Sequence, residues 1–77
     1  MKAIVWSKES CGQCVQAKNM LKLRGIEIEE RVIGSGPWTK EDLLREVPSA
    51  RSVPQIFLNE EYIGGFTELK ERLQNVN

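Results

Sequence analysis

The fold is decided by residues 3–32, AIVWSKESCGQCVQAKNMLKLRGIEIEERV. Residues 3–6 are apolar and β-prone, and apolar side chains recur at helical spacing from Cys11 to Arg24. From 26 to 32, apolar residues alternate with charged ones, as in a half-buried strand. The pattern predicts a strand, a helix and a second strand. A connection through a helix makes the two strands parallel and the crossover right-handed.

A second helix is predicted after a turn cluster of Gly, Ser and Pro at residues 34–37. Thr39 and Asp42 stand three residues apart, which is the spacing at which two side chains cap a helix start. Pro48 disfavours helical geometry in the residue before it, so we expect this helix to end near Val47.

The C-terminal part of the chain predicts a β-hairpin and a last helix. Residues 55–58 and 61–63 are typical of short strands, and the polar pair 59–60 supplies the turn between them. The last helix is predicted to begin at Thr67. Its apolar stripe consists of Leu69, Leu73 and Val76.

The predicted element order is therefore β-α-β-α-β-β-α. Alternating elements followed by a terminal hairpin predict an α/β fold, in which a four-stranded mixed sheet is flanked by three helices. A chain of 77 residues has room for one hydrophobic core, so we expect a single domain over residues 1–77.

Composition and charge argue against several classes of function. Eleven basic and eleven acidic residues cancel, which removes the attraction on which nucleic-acid and anionic-membrane binding usually rely. The apolar run near the N-terminus is far shorter than a signal peptide or a membrane span. We expect a cytoplasmic monomer that binds neither nucleic acid nor membrane.

The sequence Cys11-Gly12-Gln13-Cys14 has the two-residue gap of a redox pair. A thiolate attacks a disulfide and a thiol does not, so the attacking cysteine needs a pKa below the usual ~8.5. With Ser10 as N-cap, Cys11 lies in the first helical turn, where unpaired N–H groups and the positive end of the dipole stabilise an anion. Cys14 lies one turn further in and is predicted to be more buried. This asymmetry indicates Cys11 as the nucleophile and Cys14 as the resolving thiol.

Two other interpretations of the cysteine pair are weaker. Half of a zinc site has the same spacing, but the chain contains no histidine and no third cysteine to complete four ligands, and we expect no metal. A purely structural disulfide would close a loop of four residues and remove little entropy from the unfolded state.

Three motifs stand in register along the chain: Cys11-Gly12-Gln13-Cys14, Ser52-Val53-Pro54-Gln55-Ile56-Phe57, and Ile63-Gly64-Gly65-Phe66-Thr67-Glu68. With the strand that precedes them, they resemble a glutaredoxin across nearly the whole chain. The resemblance implies the thioredoxin fold in its minimal form and a dithiol enzyme. It also implies a cis peptide bond between Val53 and Pro54 that faces Cys11. The alternative is a trans proline leading into an edge strand.

The resemblance further implies a site for glutathione. Its predicted members are Lys8, Gln13, Arg51, Val53, Pro54, Gly65, Thr67 and Glu68. The Val53 backbone is expected to pair with the tripeptide like a strand edge, and the start of the last helix to hold the γ-glutamyl carboxylate. Arg51 is expected to meet the glycyl carboxylate, and Lys8 to place a positive charge near the thiolate. The alternatives are solvated side chains at Lys8, Gln13 and Arg51, and a plain N-cap at Thr67.

Two positions depart from the glutaredoxin pattern. Glu68 stands where an aspartate is common, and its longer side chain is expected to reach the glutathione ammonium with a different geometry. Gly12-Gln13 stands where many dithiol glutaredoxins carry Pro-Tyr, which frees the backbone at the helix start and removes an aromatic wall from the glutathione groove.

The expected activity is reduction of protein disulfides and glutathione mixed disulfides, with glutathione as the reducing co-substrate. Expected partners are disulfide-containing or glutathionylated proteins, and ribonucleotide reductase is a common client of proteins that this chain resembles. One alternative is a glutaredoxin-like electron donor that a thioredoxin reductase reduces. Another is a module in which two subunits and glutathione hold an iron–sulfur cluster.

Overall fold

Seven elements follow one another in the computed structural model, which describes residues 1–74. They are β1 (Lys2–Lys8), α1 (Gly12–Leu23), β2 (Glu27–Ile33), α2 (Lys40–Glu46), β3 (Gln55–Leu58), β4 (Glu61–Gly64) and α3 (Phe66–Gln74). The predicted element order is confirmed. Of the predicted apolar stripe on α3, Val76 lies outside the described residues.

The strands form one mixed sheet in the order β2-β1-β3-β4. Strand β1 pairs in parallel with β2, with Val5 opposite Glu30, and antiparallel with β3, with Val5 opposite Ile56. Strand β4 extends the sheet as the antiparallel partner of β3. Residues 3–6 of β1 therefore have a strand on each side, whereas its C-terminal end, from which the chain turns into α1, pairs with β2 alone.

The two faces of the sheet bury different clusters because successive side chains of a strand point to opposite faces. The first cluster lies under α1 and α3 and contains Ala3, Val5, Ala17, Leu21, Ile26, Ile56, Leu58, Leu69 and Leu73. The second lies under α2 and is built on Trp6, Leu43 and Val47. Three helices therefore flank a four-stranded sheet, as predicted. Within residues 1–74, no helix is both long enough and apolar enough to span a bilayer.

Helix α1 begins differently from the prediction, because the N-cap is Cys11 and not Ser10. Ser10 has φ of 58°, in the left-handed region, whereas Cys11 has the extended backbone (φ −111°, ψ 105°) of a capping residue. The Cys11 sulfur accepts a hydrogen bond from the Cys14 N–H at 3.2 Å. The sulfur thus occupies the position that a serine oxygen usually takes.

The start of α2 is confirmed, and that of α3 is shifted by one residue. Thr39 and Asp42 form a reciprocal capping box, with hydrogen bonds of 3.2 and 2.9 Å. Helix α3 begins at Phe66 rather than Thr67, because Gly65 provides the carbonyl for the first helical bond, from the Leu69 N–H at 3.0 Å. The Glu68 carboxylate accepts the Gly65 N–H at 2.8 Å, which completes this cap. Thr67 lies inside the first turn.

Candidate active site

The two cysteines form a disulfide at the start of α1, with their Cα atoms 5.3 Å apart. Cys11 is partly exposed, whereas Cys14 is 1% exposed. The structure therefore bears out the predicted difference in burial. A hydrogen bond from a backbone N–H and the positive end of the helix dipole both favour negative charge on the Cys11 sulfur when the pair is reduced.

The loop before β3 brings Val53 to Cys11, 42 residues away in sequence. The Cys11 Sγ lies 3.9 Å from the Val53 carbonyl oxygen, and the Val53–Pro54 peptide bond is cis. Gln55 holds this loop, because its amide donates a 2.8 Å hydrogen bond to the Ser52 carbonyl and accepts one from the Tyr62 hydroxyl. Val53 is half-buried, and Pro54 is buried.

The glycine pair before α3 packs against Pro54 and Glu68. A Cβ at Gly65 would lie 3.2 Å from the Pro54 carbonyl oxygen, and one at Gly64 would lie 2.7 Å from the Glu68 Cγ. Gly64 also has φ of 113°, a conformation that side chains disfavour. The start of α3 is therefore fixed beside the cis-proline loop. One oxygen of the exposed Glu68 carboxylate faces back to the Gly65 N–H.

The remaining predicted site residues are all exposed, and two of them, Lys8 and Arg51, line pockets beside the cysteine pair. The first, called the α2 pocket, lies between the end of β1, α2 and residues 50–53, and Lys8, Arg51 and Val53 line it. The second, called the α1 pocket, has a volume of about 430 Å³ and is lined by Cys11, Cys14 and again Lys8. Lys8 thus lies between the two. Gln13 and Thr67 lie in the first turns of α1 and α3.

A polar group at the α1 pocket was not predicted from the sequence. Ser7 is fully buried, and its hydroxyl donates a 2.7 Å hydrogen bond to Glu30, which also pairs with Lys18 at 2.7 Å. Both Lys18 and Glu30 line the pocket beside Cys14. The hydrogen bond from Lys18 has the largest effect on the pKa of Glu30 and lowers it, and the hydrogen bond from Ser7 lowers it further. Burial has a smaller effect in the opposite direction.

A sequence signal for this group exists. Glu30 has the same parity as Ile28 and Val32, so on a strand it lies with them on the face of the sheet that packs against α1. Within residues 1–74, no group of three or more His, Cys, Asp or Glu side chains is placed to hold a metal ion.

Comparison with known proteins agrees with this geometry. The glutaredoxin family model matches residues 3–63, which include the cysteine pair, the cis-proline loop and all but the last residue of the hairpin. The chain belongs to the glutaredoxin family. It is 31% identical to glutaredoxin 3 of Escherichia coli K12 over 65 residues, which is 84% of this chain and 77% of that protein.

Solved glutaredoxin structures share the whole fold. The structure of reduced E. coli glutaredoxin is 27% identical, with a TM-score of 0.83 over 99% of this chain and 96% of that one. The crystal structure of glutaredoxin 1 from Francisella tularensis is 29% identical, with a TM-score of 0.80 over 97% and 94%. Together with the Cys11–Cys14 disulfide, membership of this family makes the protein a thiol–disulfide oxidoreductase with the minimal thioredoxin fold.

Replacing Gly64 by Ala is expected to destabilise the protein by about 1–3 kcal/mol, since it combines a disfavoured φ with a clash against Glu68. Gly12→Ala is the matched control, because nothing lies within 4 Å of a Cβ there and its φ is not positive. Urea unfolding of both oxidised variants measures the difference. Equal stabilities for the two variants would contradict the close packing of Gly64 against Glu68.

Replacing Glu30 by Gln is expected to lower the free energy of unfolding at pH 7 by about 1 kcal/mol, through weaker bonds to Ser7 and Lys18. The folded-state pKa of Glu30 lies below its ordinary value of 4.5. Its charge therefore stabilises the fold above pH 4.5, and this contribution is lost as the pH falls below that value.

The measurement is denaturant unfolding of the wild-type protein and of Glu30→Gln between pH 7 and pH 3. Glu71→Gln is the control, because Glu71 is exposed on α3 and forms no hydrogen bond or ion pair with residues 1–74. The stability gap should close at acidic pH for Glu30→Gln. A gap that stays constant across this range would rule out the charged pair as its source.

Proposed function

We propose that the protein is a glutathione-dependent dithiol oxidoreductase in which Cys11 attacks the substrate disulfide and Cys14 resolves the intermediate. The observation that carries the proposal is the position of the Cys11 sulfur. It caps α1, accepts the Cys14 N–H and remains partly exposed beside the Val53 carbonyl, while Cys14 is buried. A sulfur in this position is accessible to a substrate and is stabilised as a thiolate.

In the forward reaction, the reduced Cys11 thiolate attacks one sulfur of a protein disulfide. A Cys11–protein disulfide forms, and the other substrate sulfur leaves as a thiolate that takes up a proton. Cys14 then loses its proton and attacks the Cys11 sulfur, which releases the reduced protein and closes the Cys11–Cys14 disulfide. Two glutathione molecules return the two electrons and become glutathione disulfide.

A glutathione mixed disulfide needs only one protein thiol. Cys11 attacks the glutathione sulfur, the protein substrate leaves as a thiolate, and a second glutathione releases the first from Cys11. Because Cys14 takes no part in this route, the two routes have different requirements.

The proposed glutathione site surrounds the cysteine pair. Its members are Lys8, Gln13, Arg51, Val53, Pro54, Gly65, Thr67 and Glu68. Neither the N–H nor the C=O of Val53 bonds to another backbone group of residues 1–74, so both are open to the tripeptide. The first turn of α3 offers N–H groups to the γ-glutamyl carboxylate. The exposed cations Lys8 and Arg51 suit the glycyl carboxylate.

Glu68 takes two roles in this proposal. One carboxylate oxygen caps Gly65, and the other is available to the glutathione ammonium. The clients are disulfide-containing or glutathionylated proteins, and ribonucleotide reductase belongs to that class. The site of action is the cytoplasm, where reducing conditions return the pair to its dithiol form.

Cys14→Ser is expected to keep activity on a glutathione mixed disulfide and to lose reduction of protein disulfides. Cys11→Ser is expected to lose both activities, since it removes the nucleophile. Turnover with glutathione, glutathione reductase and NADPH measures both variants on both substrates. If Cys14→Ser behaves like Cys11→Ser on every substrate, the one-thiol route is wrong.

The reductant separates this proposal from its nearest rival, an electron donor served by thioredoxin reductase. The oxidised protein should be reduced at least tenfold faster by millimolar glutathione than by a thioredoxin reductase with NADPH. Free thiols titrated after each incubation give the two rates. Reduction by the reductase alone would favour the rival and remove glutathione from the mechanism.

A further inference from the structure

The α2 pocket has an apolar floor that glutathione does not account for. Its volume is about 200 Å³, and the floor consists of Ile33, Leu43, Leu44, Ala50 and Val53. An apolar cavity of about 150 Å³ already holds a benzene ring, so one large aliphatic side chain fits. The γ-glutamyl, cysteinyl and glycyl residues of glutathione carry no such side chain.

Three cations surround this floor, and no acidic side chain of residues 1–74 lines the pocket. Lys8 ends β1, Lys40 begins α2, and Arg51 precedes Val53 by two residues. All three are exposed, and none forms an ion pair with a carboxylate of residues 1–74. By contrast, five other cations of residues 1–74 form ion pairs with carboxylates: Lys2, Lys18, Arg31, Arg45 and Arg72.

This grouping matters because the chain as a whole has no net charge. Cations left unpaired around one pocket produce a local positive potential, which attracts and orients an acidic ligand. The apolar floor suits an aliphatic side chain, and the cationic rim suits acidic residues next to it. The pocket therefore fits a peptide that carries both.

The pocket also adjoins the loop that contacts the reacting sulfur. Val53 lines it, and the Val53 carbonyl oxygen is 3.9 Å from the Cys11 Sγ. An extended peptide that pairs with the free Val53 backbone presents every second side chain to the same face, about 6.6–6.8 Å apart. We therefore expect a side chain two residues from the substrate cysteine to enter the pocket while the cysteine meets Cys11.

We infer that the α2 pocket binds an acidic segment of a client protein and takes an aliphatic side chain two residues from the cysteine that Cys11 attacks. This inference rests on the proposed function and names its substrate class. The Cys11 sulfur bonds to the docked cysteine, whose former partner sulfur leaves as a thiolate and is protonated. Cys14 then displaces the client, which gains two electrons as the Cys11–Cys14 pair is oxidised.

The test uses symmetric disulfide dimers of a short peptide with one cysteine. Leu or Ser is placed two residues before or two residues after the cysteine, and the flanks carry either Asp or Lys. In the glutathione-coupled assay, kcat/KM should be about tenfold higher for Leu than for Ser in one of the two placements. Asp flanks should be preferred to Lys flanks, and the preference should shrink as salt is added.

A second experiment reverses one charge at the cationic rim of the α2 pocket. In Lys40→Glu, the ratio of kcat/KM for Asp-flanked to Lys-flanked peptides should fall about fivefold or more. Lys70→Glu is the matched control, because Lys70 is an exposed lysine of α3 outside the pocket, and its ratio should be unchanged. Comparing ratios removes any effect of the variant on folded fraction.

The outcomes separate the two proposals. Reduction of a glutathione–cysteamine mixed disulfide in the same assay reports the proposed function without involving the pocket floor. If it proceeds while Leu and Ser peptides react equally, or while both lysine variants give the same ratio, the inference is overturned and the function stands. Peptide discrimination without turnover of the small mixed disulfide supports the inference and overturns only the proposed reduction of glutathione mixed disulfides. Loss of all turnover overturns both.

Discussion

The hydrogen bond from the Cys14 N–H to the Cys11 sulfur fixes where α1 begins, and the site is arranged around that point. The turn before it leaves the end of β1, whose last two residues pair with β2, so strand pairing sets where the sulfur lies relative to the sheet. Because the capping atom is also the exposed sulfur, the group that completes the helix is the group that reacts. The peptide dipoles of α1 act on that atom directly.

Alternation along β1 gives the two sides of the site different chemistry. Val5 and Ser7 face α1 and α3, where Ser7 supports Glu30 beside Cys14. Trp6 faces the opposite side and supports the cluster under α2, from which the pocket beside Val53 is built. The cysteine pair therefore has the Lys18–Glu30 ion pair on one side, whereas on the other side Val53, which contacts the Cys11 sulfur, lines an apolar pocket with a cationic rim.

The fold follows closely from local patterns because periodicity, turn residues and caps act over a few positions. The capping box at Thr39 and the burial of Cys14 were both predicted correctly. The start of α1 was predicted one residue too early, with Ser10 as the N-cap. Ser10 has a left-handed backbone where the chain leaves the sheet, and local helix propensity does not indicate that conformation. The start of α3 moved to Phe66 because Glu68 caps Gly65. A single-residue shift of this kind is decided by one side-chain rotamer.

The sequence by itself determined the element order, the parallel βαβ unit, and the pairing of an exposed with a buried cysteine, because each depends on neighbours within one or two turns. Only the tertiary structure decided which distant groups meet. Lys8, Lys40 and Arg51 surround one pocket, and Val53 lies against Cys11, through strand pairing and helix packing over tens of residues. Contacts at that separation depend on the summed geometry of the intervening elements, which no local pattern encodes.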